Sequence, residues 1–295
     1  MINFFKEQVS ANDPHVLGHF LLKRGFSRRS LKFARYHNGL ILVNHRRRYL
    51  SFHLQTGDEV IFVPGQEKPN PYLVPIKGPL QIVQETNNYL LINKPAGLLT
   101  IPSRYEDRQS LVNYLLAYFE ELGLTTRPHI VTRLDRQTSG LVLVGKNGVA
   151  QSQFSQQSAD QLQKKYHAIV HGNFDEWTGR VDLAISQVNK TVRRRVAPHG
   201  QSAVTLYQVL DQVPGASLVS LRLMTGRTHQ IRVHMQAIGH PLYGDQLYGR
   251  PDDFHRQALN AYSLHFFDPF SKQEKAVEVP DPTDMQQLWR RLKND

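Results

Sequence analysis

The sequence predicts an α+β protein, in which a small basic α/β module precedes a larger domain built on a mainly antiparallel mixed sheet with flanking helices. Helix and strand patterns follow one another irregularly, which argues against regular βαβ units. Of the net charge of +11, +6 falls in residues 1–65. Residues 64–79 contain five prolines, and no packed element fits there. We therefore expect domains at 1–65 and 80–295, joined by a semi-rigid linker over 66–79.

The composition excludes several classes of site. The chain of 295 residues contains no cysteine, which rules out disulfides, thiol nucleophiles and zinc–thiolate sites. No apolar run approaches the roughly 20 residues that a membrane helix needs, and the first residues lack the pattern of a signal peptide. We therefore expect a cytoplasmic protein that is not attached to a membrane. The excess of basic residues, 36 against 25 acidic ones, favours a polyanionic partner.

The basic module is expected to contain two helices and two strands. An amphipathic pattern predicts a helix from residue 17 to about residue 25. Ser27 is of the residue type that caps helices, and the next helix is predicted over residues 28–35. Apolar strands are predicted over 40–43 and 60–63, each next to a turn that contains glycine. The second helix carries four of the ten basic residues of the module.

This module resembles the S4 RNA-binding domain over about residues 15–63. The similarity rests on the segments LLKRGFSRRSLKFARYHNGLILVN and LQTGDEVIFV. It implies that the second helix presents basic side chains to RNA phosphates, which supply most of the nonspecific affinity. The alternative is a basic face that is only solvated. The RNA-binding residues implied here are Arg28, Arg29, Lys32, Arg35 and Arg46.

The larger domain mixes helix and strand patterns. Helices are predicted over 110–122 and 228–238, and the second is expected to end at Gly239. Strand patterns cover residues 89–92, 141–144, 166–170, 192–196, 203–210 and 217–224. This irregular order favours a sheet that is mainly antiparallel.

Asp135 is the first candidate for chemistry. It stands between Arg133 and Arg136 in a turn-prone segment directly before the buried strand 141–144. Neighbouring arginines favour the ionised carboxylate, which could act as a nucleophile or a base. The alternative is an ordinary ion pair at the surface, and the local pattern alone favours that alternative.

The other candidates are also ambiguous when each is taken alone. Tyr166 lies on the inward face of a predicted strand, where a core tyrosine is the simpler interpretation. His229 and Arg232 would share one face of the predicted helix, because they are three residues apart. His229 and His234 are five apart, which does not suit a metal, and we expect no metal site. Asp245 lies in a turn-rich loop and is interpreted as structural.

Four segments occur in the order that is typical of the RluA/RluD family of RNA pseudouridine synthases. They are INKPAGLLTIPS, RLDRQTSGLVLVGKN, KKYHAIVHG and TGRTHQIRVHMQAIGHPLYGDQLYG. The chain resembles this family over about residues 80–270, and an S4 module is frequent there too. The resemblance implies an isomerase that converts uridine in ribosomal or transfer RNA to pseudouridine. It further implies a monomer that needs no metal, other cofactor or obligate protein partner.

The resemblance also implies roles for single residues. Asp135 takes the place of the catalytic aspartate and Arg232 that of the arginine paired with it. Tyr166 takes the place of a tyrosine that stacks on the target base and helps to move a proton. RNA contacts are implied for Arg133, Arg136, Lys165, Arg227, His229 and Gln230. Thr132 stands where many members have histidine, and we expect this difference to affect the choice of target.

Two chemical routes and two other functions stay open at this point. Asp135 could attack C1′ of the ribose, or it could remove the 2′ hydrogen to give a glycal-like intermediate. A noncatalytic RNA-binding or ribosome-assembly protein would keep the basic face without needing the four motifs. A hydrolase would usually need a second carboxylate, for which Asp245 is the candidate within the motifs.

Overall fold

The computed structural model describes residues 4–67, 73–102, 109–124 and 126–294. Its internal contacts divide the chain into two compact units. The first unit consists of residues 1–92, 101–133 and 142–156. The second unit consists of residues 93–100, 134–141 and 157–295.

The first part of the first unit is a small sheet with two helices. Its elements are β1 (Phe5–Gln8), α1 (Leu17–Lys23), α2 (Arg28–Tyr36), β2 (Leu40–Val43), β3 (Arg46–Arg47) and β4 (Glu59–Val63). The strands form an antiparallel sheet in the order β1-β4-β2-β3. Ser27 caps α2, because its hydroxyl oxygen accepts a hydrogen bond from the backbone N–H of Ser30. The two predicted helices and two predicted strands are confirmed, whereas β1 and β3 were not expected.

The next elements lie wholly or mostly in the first unit. They are β5 (Ile82–Glu85), β6 (Tyr89–Lys94), α3 (Leu111–Glu121), β7 (His129–Ile130), β8 (Ser139–Gly145) and α4 (Gly148–Ser155). β5 pairs with β6 and β7 pairs with β8, both antiparallel. The side-chain amides of Gln153 and Gln156 donate to the carbonyls of Arg24 and Gly25. The basic module therefore contacts α4 and the residue that follows it.

The second unit contains a mixed sheet that is mainly antiparallel. Its elements are β9 (Leu162–His171), β10 (Thr178–Asp182), β11 (Ile185–Gln187), β12 (Arg194–Val196), β13 (Val204–Val213), β14 (Ala216–Leu223), α5 (Gln230–Ala237), β15 (Leu259–Asp268), β16 (Gln273–Glu278) and α6 (Thr283–Asn294). The order β10-β13-β14-β9-β15 is antiparallel throughout, and β16 pairs with β15. The start of β8 pairs with β15 in parallel. This arrangement confirms the predicted fold class.

Gly140 explains how the start of β8 reaches β15. Its φ is +110°, and a Cβ atom at this position would collide with the backbone of Ala261. Only glycine accepts both conditions without strain. As a result, Ser139 and Gly140 lie directly opposite Asn260 and Ala261. This pairing fixes the segment just before β8, which contains Asp135, within the second unit.

Two predicted elements differ from the structure. α5 begins at Gln230, two residues later than expected, because the backbone of His229 is left-handed with a φ of +58°. The prediction that His229 shares a helical face with Arg232 is therefore wrong. The pattern at 192–196 forms only the short strand β12, which pairs with β11 in a separate two-stranded ribbon.

The described ends of the predicted linker are bonded to the first unit. The Glu67 carboxylate lies 2.7 Å from Nε2 of His129. The Val74 carbonyl accepts a hydrogen bond from the side chain of Asn113. Residues 68–72 of this linker lie outside the described residues, and the boundaries at 65 and 79 stay a prediction. In the described part of the chain, no helix is long and apolar enough to cross a membrane.

Candidate active site

Asp135 lies in a short loop whose first and last residues, Leu134 and Thr138, are buried. The loop, residues 134–138, is held at its start by Thr100, whose hydroxyl donates to the Leu134 carbonyl at 2.8 Å. At its end, the Thr138 hydroxyl accepts from the side chain of Gln257. The Asp135 side chain keeps 29% of its surface exposed. The loop therefore holds one carboxylate in a fixed place that solvent and a substrate can still reach.

Arg232 on α5 joins Asp135 to a second carboxylate. Its Nη1 lies 3.3 Å from Oδ2 of Asp135. Its Nε and Nη2 donate to the two oxygens of Asp245, at 2.7 and 2.8 Å. Burial would lower the pKa of Arg232, but Asp245 and then Asp135 raise it. The guanidinium therefore stays charged, with Asp245 as its close partner and Asp135 as its looser one.

His229 approaches the same carboxylate from the residue before α5. Its Nε2 lies 3.8 Å from Oδ2 of Asp135, and its Nδ1 lies 2.9 Å from the Tyr248 hydroxyl. Burial lowers the pKa of His229, although the charge of Asp135 opposes that shift. The imidazole is therefore neutral at pH 7. Its left-handed backbone is what turns the ring toward Asp135 instead of along the helix.

Tyr248 holds the surroundings of this group together. Its hydroxyl accepts a hydrogen bond from the backbone N–H of Arg194 at 2.8 Å. The guanidinium carbon of Arg232 lies 4.9 Å from the centre of its ring. Its backbone N–H donates to Asp245. One buried tyrosine thus contacts α5, the ribbon of β11 and β12, and the buried carboxylate.

Tyr166 lies on β9, directly opposite Leu221 of β14. Its side chain is buried. Burial raises the pKa of Tyr166, and the charge of Asp135 raises it further. The phenol therefore stays protonated at neutral pH.

Lys94 is a fully buried lysine at the end of β6. Its ammonium donates to the carbonyls of Pro95 and Leu98 at 2.8 Å and reaches the carbonyl of Arg136 at 3.3 Å. Burial lowers the pKa of Lys94 to about 7, with Asp135 opposing and Arg256 adding to the shift. Because one of its acceptors directly follows Asp135 in the chain, Lys94 fixes the backbone of the Asp135 loop.

Three of the predicted RNA contacts lie in the second unit with partly or fully exposed side chains. Arg136 is exposed, and its Nε donates to the Gly97 carbonyl. Arg227 is also exposed and donates to the Ser202 carbonyl. Lys165 is half-buried on β9, next to Tyr166. These cations lie on the same unit that contains Asp135.

Gln230 must be removed from the predicted RNA contacts. Its side chain is only 2% exposed. Its oxygen accepts from the Thr225 hydroxyl and the Arg227 backbone, and its nitrogen donates to the Val204 carbonyl and the Thr205 hydroxyl. An amide with both of its ends bonded inside the protein fixes the start of α5 and leaves nothing for RNA.

Thr132 also turns inward, contrary to a direct role in the choice of target. Its side chain is buried, and its hydroxyl oxygen accepts from the backbone N–H of Leu143 within the first unit. Arg133, the next residue, is exposed. The residues of the basic module that were predicted to bind RNA are exposed as well. They are Arg28, Arg29, Lys32, Arg35 and Arg46.

The sequence interpretation missed two residues beside Asp135, namely Tyr248 and Lys94. Asp245 was interpreted as structural, and in the structure it is the bidentate partner of Arg232. The sequence signal for this pair is a carboxylate in a loop shortly after an arginine-bearing helix, since a buried arginine needs more than one acceptor. Among the described residues, no cluster of three or more histidine, aspartate or glutamate side chains could hold a metal.

The sequence profile of the RNA pseudouridylate synthase family matches residues 88–237. This range includes Asp135, Tyr166 and Arg232. This chain belongs to that family. The membership makes the protein an RNA pseudouridine synthase, an isomerase. Asp135 and its partner Arg232 lie in the part of the chain that carries the match, whereas Asp245 and Tyr248 follow it.

Curated relatives of this pseudouridine synthase extend the match to most of the chain. The uncharacterized RNA pseudouridine synthase YjbO of Bacillus subtilis (strain 168) is 37% identical over 267 residues, which cover 90% of this chain and 94% of the relative. The ribosomal large subunit pseudouridine synthase D of Zymomonas mobilis is 40% identical over 232 residues, which cover 72% and 73%. The solved structure of human RNA pseudouridylate synthase domain containing 4 has a TM-score of 0.59 at 24% identity, over 72% of this chain and 93% of that one. The similarity to this human structure supports the assignment of the fold.

Proposed function

We propose that this pseudouridine synthase modifies uridine in ribosomal RNA and that Asp135 is its essential carboxylate. The observation that carries the proposal is the partly exposed Asp135 beside the buried pair of Arg232 and Asp245. Relatives named as ribosomal large subunit pseudouridine synthases support ribosomal RNA as the substrate. We further propose a cytoplasmic monomer.

The proposed reaction is an isomerisation that needs no outside reactant. The bond from uracil N1 to ribose C1′ breaks, and its electron pair stays on the uracil. The base turns, and its C5 forms a new bond to C1′. C5 then loses its proton and N1 gains one, so that product and substrate have the same atoms. Positive charge develops at C1′ during cleavage, and an adjacent carboxylate stabilises it.

Asp135 is proposed to act at the ribose. It either attacks C1′ or removes the 2′ hydrogen, and both routes require the ionised carboxylate. Arg232 favours this form through the contact at 3.3 Å. Because Asp245 balances most of the Arg232 charge, Asp135 is held in place without a tight ion pair that would mask it. His229, neutral beside it, adds no second cation that would compete with the charge at C1′.

Tyr166 is proposed to contact the uracil. The target base must leave its stack to reach Asp135, which costs a few kcal/mol, and an aromatic ring recovers part of that cost by stacking. The phenol stays protonated because burial raises its pKa. It can therefore donate a hydrogen bond to the base, and it can relay a proton from C5 toward N1 by giving one up as it takes one, after C5 has bonded to C1′.

The test of this function is the substitution Asp135→Asn. It removes the carboxylate charge at almost constant volume, so we expect pseudouridine formation to fall below detection while RNA affinity stays near that of the wild type. Tritium release from RNA with 5-tritiated uridine measures turnover, and filter binding measures affinity. The matched control is Asp182→Asn, because Asp182 is an exposed carboxylate on β10 that pairs with Arg180.

Three results would contradict parts of the proposal. Normal tritium release by Asp135→Asn would remove the essential role of Asp135. Release of free uracil by the wild type would make the enzyme a hydrolase. Mapping pseudouridines in RNA from a strain without the gene tests the substrate, and a loss confined to transfer RNA would overturn the assignment to ribosomal RNA.

A further inference from the structure

Two tyrosines of the basic module are left open to solvent beside one arginine. Tyr36 ends α2 and is 65% exposed, and Tyr49 follows β3 and is 75% exposed. Among the described large apolar side chains, Tyr49 is the most exposed. The guanidinium carbon of Arg35 lies 5.6 Å from the centre of the Tyr36 ring and 5.8 Å from that of Tyr49. Arg35 thus contacts both rings, which we call the tyrosine pair.

The tyrosine pair does not contribute to the core of the module. The core is made by residues such as Phe20, Phe26 and Phe62, each almost fully buried. A ring that remains mostly in water loses little when the module unfolds, so packing does not explain why aromatic residues occupy both positions. Their contact with Arg35 is a cation–π arrangement, which orients the rings and leaves ring surface exposed.

The electrostatic surroundings indicate what these rings would bind. α2 contains no acidic residue, and its basic side chains Arg28, Arg29 and Lys32 are exposed along with Arg35. A surface that combines exposed cations with exposed aromatic rings matches the two chemical parts of a single-stranded nucleic acid. The cations meet phosphates, and the rings stack on unpaired bases. A duplex would offer phosphates, 2′-hydroxyls and base edges but no free base face along its length, since its bases are already stacked.

We propose that Tyr36 and Tyr49 form a stacking platform for unpaired bases of the substrate RNA, with Arg35 as the cation that orients both rings. The proposal rests on the proposed function, because it takes RNA as the ligand. It adds a preference of the basic module for a loop or single strand over a helix. Phosphate contacts alone would not give this preference.

The test compares two double variants of the full-length protein. Tyr36→Leu with Tyr49→Leu keeps apolar volume but removes the rings, whereas Tyr36→Phe with Tyr49→Phe keeps the rings and removes the hydroxyls. The probes are a single-stranded RNA that contains 2-aminopurine and a blunt RNA duplex. For the single strand we expect the leucine variant to bind about tenfold or more weakly, with less quenching of 2-aminopurine. We expect the phenylalanine variant to bind within about twofold of the wild type.

The salt dependence separates stacking from charge. Stacking releases no counterions, so the slope of log affinity against log salt should be the same for the leucine variant and the wild type. Duplex binding should also be unchanged. Because both side chains are exposed, the thermal midpoint of either variant should match that of the wild type.

Several outcomes would overturn the platform. They are wild-type affinity of the leucine variant for the single strand, an equal loss for the phenylalanine variant, and an equal loss for the duplex. An oligoglutamate peptide that competes with RNA for the wild type but not for the leucine variant would point to a protein partner instead. Failure of the proposed function looks different, because the wild type would then neither bind these RNAs nor form pseudouridine.

Discussion

Arg232 is shared unequally between two carboxylates, and this inequality defines the site at the scale of residues. Asp245 takes two short hydrogen bonds and is almost fully buried, whereas Asp135 takes one longer contact and stays partly exposed. A carboxylate that held Arg232 as tightly as Asp245 does would have little capacity left for a ribose. Asp245 therefore positions Arg232, and Asp135 is left partly exposed for the proposed reaction.

The first prediction concerns Asp245→Asn. The change leaves the buried guanidinium without its main counter-charge, so we expect unfolding free energy to fall by about 3 kcal/mol. We also expect the single-turnover rate at saturating RNA to fall about tenfold or more, because Arg232 is no longer held in place. Urea unfolding and quench-flow assays measure the two effects.

A matched control for this change is Asp253→Asn. Asp253 also pairs with an arginine, Arg291, but both side chains are largely exposed. An exposed pair contributes less than about 1 kcal/mol, so neither stability nor rate should change much. Similar losses in both variants would show that Asp245 has no special role.

The second prediction concerns Lys94 and pH. Its pKa in the folded protein is about 7, below the ordinary value of 10.5. Between pH 7 and pH 9 the folded protein has released this proton while the unfolded chain keeps it, so raising the pH stabilises the fold. At about 1.4 kcal/mol per pH unit, the wild type should gain about 2 kcal/mol relative to Lys94→Met over this range. Urea unfolding of both proteins at pH 7 and 9 checks this, and a constant difference would show that Lys94 keeps its proton.

At the scale of elements, Tyr248 couples the start of α5 to the ribbon of β11 and β12. Its hydroxyl contacts His229 on one side and the backbone of Arg194 on the other. Both contacts depend on one oxygen atom. The basic segment that contains Arg194 therefore shares a fixed point with the residue that faces Asp135.

The third prediction is that Tyr248→Phe loosens this ribbon. Phenylalanine keeps the ring near Arg232 but leaves the Arg194 N–H and the His229 ring without a partner, at a cost of about 1 kcal/mol. We expect faster amide exchange at Arg194, measured by hydrogen–deuterium exchange, with unchanged exchange in β16, a strand that Tyr248 does not bond. Unaltered protection at Arg194 would contradict the coupling.

The elements also show how far the sequence could predict the structure. Helix α2 was predicted together with its cap, because Ser27 and the apolar spacing are local signals. The start of α5 was predicted wrongly, because periodicity does not reveal that the backbone of His229 is left-handed. Periodicity also could not reveal the role of Gln230, because two of its four side-chain hydrogen-bond partners, Val204 and Thr205, lie about 25 residues earlier in the chain. Likewise, Asp135 and Arg232 could be paired from the family resemblance, whereas Asp245 required knowledge of the folded loop.

At the scale of the whole molecule, we expect the charge of the basic module to set its affinity for RNA. The exposed face of α2 provides four cations close together. They are Arg28, Arg29, Lys32 and Arg35. Each phosphate neutralised on a single strand contributes about 0.7 to the slope of log affinity against log salt.

The fourth prediction follows from this count. Replacing these four residues by glutamine should lower the salt slope by up to about 3 and weaken binding to all RNAs alike. Binding titrations at salt concentrations from about 50 to about 300 mM measure the slope of log affinity against log salt. A changed affinity with an unchanged slope would show that α2 does not contact phosphates.

Composition predicted boundaries at 65 and 79, whereas internal contacts divide the chain differently. The first unit contains residues 1–92 and two later segments, 101–133 and 142–156. The residues between these segments, 93–100 and 134–141, belong to the second unit. Proline content and charge vary along the chain and cannot report such interleaving. It follows from pairings between distant residues, such as Gly140 with Ala261.

That pairing has a consequence for the order in which the protein matures during synthesis. Asp135 leaves the ribosome early, but the strand that fixes its loop is completed about 120 residues later, at Asn260 and Ala261. Arg232 and Asp245 are also made after it. A nascent chain can therefore fold the basic module long before it has a working catalytic centre, since contacts between distant residues form only after the intervening chain exists. If the basic module binds RNA as proposed, substrate capture can precede catalytic competence in the life of each molecule.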